Sequence, residues 1–114
     1  MIIFRADGNP VIGSGHIMRC LSIANAAKKT GEACVFILSS GEFGDTILQF
    51  GHGVEILGSD YSDPVPQELL PALDKYGPAA VFVDSYSVTA EYMSVTHTLC
   101  HEKTAGSYIL MTVA

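Results

Sequence analysis

At 114 residues, 48% hydrophobic and 16% charged, the chain is long enough for one domain with a real core and too apolar to stay disordered. Its formal net charge of −6, with only six Lys and Arg and no run of them, excludes a protein that tracks a nucleic-acid backbone. A single phosphate or sugar held by backbone amides stays open.

Ile2 to Ala6 reads as a first strand, apolar apart from Arg5. A polar, glycine-rich loop follows through Gly15, then a helix from about His16 to Lys29, closed by Gly31. In that helix Ile17, Cys20, Leu21, Ala24 and Ala27 recur at three- and four-residue spacing, which predicts its buried stripe. Ala33 to Leu38 is a second strand, continuously apolar as buried parallel strands are. A helix from Phe43 to about Phe50 ends at Gly51 and Gly53, Val54 to Leu57 is a short third strand, and Gly58 to Pro64 is a loop. Gln67 to Tyr76 reads as helix stopped by Gly77-Pro78, although Pro71 falls inside it and an interior proline costs about 3 kcal/mol. Ala79 to Val83 is the fourth strand, Ala90 to about Lys103 a helix, and Tyr108 to Val113 the fifth strand.

Strict alternation of strand and helix implies parallel strands joined by right-handed crossovers. The expected product is a single Rossmann-like α/β domain, a doubly wound, mostly parallel five-stranded sheet in the order 3-2-1-4-5. In that order the chain changes winding direction between strands one and four, and ligands bind beyond the carboxyl ends there. The loop from Asp7 to Gly15 and the loop from Asp84 to Thr89 should therefore face each other across one crevice.

Gly13-Ser14-Gly15 stands between a strand and a helix, the right context for holding an anion or a sugar near free amides, and also for a plain tight turn. It is neither a dinucleotide fingerprint, since Met18 takes the third glycine's place, nor a P-loop, since Ser14 replaces the lysine. His16 falls at the helix start, where the positive end of the dipole favours a neutral, basic ring. General-base work on water or a sugar hydroxyl suits it, and so does a capping or structural role. Arg19, one turn later on the same face, can meet a phosphate or carboxylate, or only solvent. Arg5 in so apolar a strand needs a partner, which Asp7 or Asp84 can supply. Asp84-Ser85-Tyr86 closes the fourth strand, with Asp84 able to fix a histidine tautomer, bind a sugar hydroxyl or merely cap the loop, and Thr89 is expected to cap the next helix. His52 lies in a turn. His97 and His101 have the i, i+4 spacing of metal ligands but lack the glutamate and third ligand of such a site, so neither metal nor cofactor is expected.

Charge arrives at Arg5 and Asp7, too early for a signal peptide, and no apolar run is long enough to span a bilayer. Cys20, Cys34 and Cys100 are an odd number without a close pair, which points to reduced thiols in a cytoplasmic protein.

Taken together, Arg5-Ala6-Asp7, the run from Gly13 to Leu21 and the run from Val83 to Thr89 resemble the N-terminal domain of the UDP-sugar hydrolases of pseudaminic-acid synthesis and of the related spore coat polysaccharide biosynthesis proteins. Those proteins belong to the two-domain GT-B class, similar to the glycosyltransferase that completes lipid II. The resemblance implies a hydrolase or glycosyltransferase half that acts on a UDP-linked amino sugar. His16 would be the catalytic base, activating water against the anomeric carbon as UDP leaves. Arg5, Asp7, Gly13, Ser14, Gly15, Arg19, Asp84 and Tyr86 would bind substrate. A C-terminal UDP-binding domain, which supplies most UDP contacts in the family, is absent from these 114 residues and is an expected partner if separate. Exposed apolar groups such as Ile12 and Met18, near the face that would meet it, also suggest a homodimer. A non-catalytic sugar- or phosphate-binding module, or a structural subunit pairing with a nucleotide-binding domain, is the alternative.

Overall fold

The computed structural model describes residues 1–85, 87–103 and 109–112. Strands β1 (Ile2–Ala6), β2 (Cys34–Leu38), β3 (Gly53–Ile56), β4 (Ala80–Asp84) and β5 (Ile109–Thr112) form one sheet, every pair parallel, in the order β3-β2-β1-β4-β5. Helices α1 (Gly15–Lys29) and α2 (Gly44–Gln49) cover one face, and α3 (Leu70–Tyr76) and α4 (Ala90–Lys103) the other. The doubly wound α/β architecture expected from the alternation is present, with β1 central and the winding reversed between β1 and β4.

Strand alternation sorts the core into two layers. Ile3, Val35, Ile37, Val81 and Val83 meet Leu69, Leu73 and Tyr92 on the α3–α4 face. On the other face Phe4, Phe36 and Leu38 meet Ile17, Cys20, Leu21 and Ala24, the stripe the spacing of α1 predicts, with Ala27 half-buried beside them. The parallel register aligns Phe36, Phe4 and Phe82 in one row across three strands, so the Phe4 ring stacks between the other two at 4.9 and 5.1 Å.

The segment expected as one helix over 67–76 divides in two, and Pro71 is the reason. A 3-10 turn (Pro66–Leu69) comes first and α3 restarts at Leu70, which places Pro71 in a first turn, where its missing N–H costs nothing. Gly77, at φ +52°, ends α3 in the left-handed conformation. Tyr108 and Val113, expected in the fifth strand, lie outside the described residues. All three cysteines are buried. No helix among the described residues is long and apolar enough to cross a membrane.

Candidate functional site

The chain leaves β1 at its carboxyl end and must turn at once into α1. Asn9 organises the turn: its Oδ1 accepts from the Val11 and Ile12 amides at 2.8 and 2.9 Å, and its backbone exchanges two hydrogen bonds with Gly13. Gly13 has φ +79°, a left-handed conformation that glycine adopts without strain. Gly8, at the base, serves closeness instead, since a Cβ there would lie 2.7 Å from Ile17 Cγ1 and 2.8 Å from Phe43 Cδ2. Ser14 precedes α1 without a capping bond from its hydroxyl, and Gly15 opens the helix with nothing within 4 Å of where a Cβ would stand. Gly13, Ser14 and Gly15 thus form an open lip at the amino end of α1.

His16 follows on the first turn of α1, and its Nδ1 bonds Asp84 Oδ1 at the end of β4. A carboxylate in this pair accepts, so Nδ1 is the donor, and in the neutral ring Nε2 is then the acceptor. Arg19, three residues on, grips the same carboxylate as a fork, Nε to Oδ2 and Nη2 to Oδ1, both at 2.7 Å. Its Nη2 also lies 3.4 Å from His16 Nδ1, but two donors do not bond each other, so that approach is only proximity. Asp84 is 1% exposed, His16 14% and Arg19 43%. The three therefore grade from a buried carboxylate to a solvent-facing guanidinium. Cys20 Sγ approaches Asp84 Oδ2 from below at 3.9 Å, and burial together with the Asp84 charge pushes its thiol up to about 12.

A second network lies deeper. Arg5 and Asp7, each 1% exposed, pair at 2.8 Å, and Arg5 also donates to the Ala6 and Ile37 carbonyls and to Ser39 Oγ. Asp7 accepts from the Ser39 amide and from Ser85 Oγ. Burial alone would push the Asp7 carboxyl up, but the Arg5 bond and charge, with the bonds from Ser85 and Ser39, outweigh it and hold it below 3.8. This network ties together the carboxyl ends of β1, β2 and β4.

Of the residues singled out in the sequence, His16, Arg19 and Asp84 meet directly, and Gly13, Ser14 and Gly15 form the lip beside them. Between its two candidate partners Arg5 takes Asp7, and both are closed off from solvent. Tyr86 lies outside the described residues. Thr89 Oγ1 accepts from the Tyr92 amide, the expected cap of α4. Sequence reasoning missed Ser39 and Ser85 as members of the buried network and Gly8 as a point of close approach. Ser39 stands where a dinucleotide site would have an acid, and that is the one signal that could have flagged it. His97 and His101 are exposed on α4, and no cluster of three metal-binding side chains occurs among the described residues.

The fold has a counterpart of known kind. The structure superposes on a glycosyltransferase from Rickettsia africae ESF-5 with a TM-score of 0.68 and 13% sequence identity. The fold is glycosyltransferase-like. The match covers 97% of this chain and 28% of that one, so the chain spans under a third of the enzyme's length. No protein-family model and no curated protein matches the sequence.

Proposed function

We propose that this domain is the catalytic-base half of a nucleotide-sugar hydrolase or glycosyltransferase, acting on a UDP-linked amino sugar in surface or spore coat polysaccharide biosynthesis. The observation that carries the reading is the His16–Asp84–Arg19 cluster, at the point between β1 and β4 where sheets of this topology bind ligands. The glycosyltransferase-like fold supports it, as does the resemblance of the loops after β1 and β4 to those of UDP-sugar hydrolases.

In this reading His16 Nε2 removes a proton from water or an acceptor hydroxyl as that oxygen attacks the anomeric carbon. The glycosidic bond breaks and UDP departs with the bonding pair. Asp84 fixes the tautomer and orientation of the ring, as the third member of such a relay does. Arg19, half in solvent, meets the anionic part of the ligand, and the open lip at Gly13, Ser14 and Gly15 lets the sugar approach the amino end of α1. Arg5 and Asp7 act beneath the site by fixing the strand ends. A UDP-binding domain, in the same protein or in a partner, completes the cleft.

Release of UDP from UDP-linked N-acetylated amino sugars tests the reading, measured on the full protein or on this chain supplied with its nucleotide-binding domain. UDP release is expected, with free sugar as product for a hydrolase and sugar on an acceptor for a transferase. Tight sugar-nucleotide binding without UDP release would instead make the domain a binding module.

A further inference from the structure

Two side chains of α1 share the buried Asp84 carboxylate. His16 Nδ1 meets its Oδ1, while Arg19 closes a fork on both oxygens at 2.7 Å. The guanidinium and the ring are also close to each other, with Arg19 Nη2 3.4 Å from His16 Nδ1. Contact with an anionic ligand accounts for the exposed side of Arg19 but not for this fork, which is turned inward onto a carboxylate that His16 already engages.

Charge decides what the fork does. A carboxylate out of water favours the protonated form of an imidazole beside it, because an opposite charge within about 4–6 Å stabilises the charged state. An imidazolium carries a proton on each nitrogen and has no acceptor left, so a ring held in that state cannot take a proton from water. Arg19 opposes this twice. Its charge balances the carboxylate, and it sets a second cation against any proton added to the ring. The positive amino end of α1 acts in the same sense. Among the titratable groups around the ring, Asp84 of β4 therefore pulls toward protonation and Arg19 of α1 pulls away from it. Cys20, behind the carboxylate with its thiol pushed up to about 12, adds no charge at neutral pH. Arg5 and Asp7 lie deeper and answer each other.

We infer that Arg19 is a positioning residue that keeps His16 a base, carrying the countercharge of Asp84 so that the carboxylate orients the ring without holding it protonated. Its bearing on catalysis rests on the reading of His16 as the general base. The charge balance itself is a property of the chain without ligand.

The experiment follows the His16 ring resonances of the 114-residue chain by NMR as pH is varied, without sugar nucleotide and with His16→Ala to assign them. Arg19→Gln is expected to move the midpoint of the His16 titration up by about one unit or more, a gain in proton affinity of about tenfold. Arg19→Lys keeps a cation at the position and should stay near the wild type, and Asp84→Asn should move the midpoint down. Arg19 is 43% exposed, so its replacement should leave the core amides unshifted. A midpoint that is unchanged or lower in Arg19→Gln, an equal rise in Arg19→Lys, or a rise in Asp84→Asn would each overturn the inference. Activity of Arg19→Gln in the complete UDP-binding assembly then separates the two claims. The acid limb of kcat/KM for UDP release, which reports the free enzyme's essential base, should move up together with the NMR midpoint. A rise by NMR with an unmoved acid limb upholds the inference on Arg19 and removes His16 as the base.

Discussion

Arg5 shows what a single residue does for this site. It is the largest fully buried side chain among the described residues, and its charge is tolerated because Asp7 answers it and two carbonyls and Ser39 Oγ accept its hydrogen bonds. Removing one partner of such a pair leaves the other charge buried and uncompensated, which typically costs about 3–5 kcal/mol. Arg5→Met should therefore lower unfolding stability by about that much in urea at neutral pH. Because Asp7 is held below its ordinary 3.8, its share of stability is complete above that value and is lost as pH falls through the lower folded-state value. His52 gives the opposite chemistry at milder pH. It is buried against Phe36, its Nε2 meets Asn25 Oδ1 at 2.8 Å, and burial, helped by Lys28, holds its pKa below 6.5. The unfolded chain takes up the His52 proton first as pH falls, so stability is full above about 6.5 and declines below it. Urea unfolding at about pH 7.5 and about pH 5.5 should show that decline in the wild type, and His52→Gln should reduce it.

Among elements, the strands and helices were legible because each carries its own period. Continuous apolar runs marked β1, β2 and β4, and the three–four spacing marked α1. Pro71 was read as a fault in a helix, when it marks the start of one. The site was legible in outline for a related reason: topology alone placed the loops after β1 and β4 on one edge, and the structure joins them through His16 and Asp84. What the sequence withheld was partner choice. Ser39 and Ser85 reach Asp7 from 32 and 78 residues away, and nothing local distinguishes a serine that will do so from one that faces water. Likewise His52 looked like a turn residue because its burial depends on Asn25 and Phe36, which belong to other elements.

At the scale of the molecule, the carboxyl edge of the sheet carries a polar crevice with apolar groups beside it. Val11 is 83% exposed in the loop after β1 and Met18 49% exposed on α1, whereas Ile12, expected among the exposed groups, is half-buried. Exposed apolar groups at a cleft usually find a partner, and self-association as a two-fold dimer is the expected outcome for the chain on its own. Light scattering should report a mass above that of the 12.1 kDa monomer as concentration rises; a monomer at high concentration contradicts this.

The central claim is that His16, oriented by Asp84, carries the proton in cleavage of a nucleotide sugar. Turnover and ligand affinity of His16→Ala, measured side by side in the complete, UDP-binding assembly, test it most directly. Loss of a general base typically costs about 10²- to 10⁴-fold in rate. His16→Ala is expected to fall in that range with sugar-nucleotide affinity largely kept, and Asp84→Ala, which removes only a positioning group, to fall less. A His16→Ala protein that retains full turnover would contradict the account and leave the loop as a binding site.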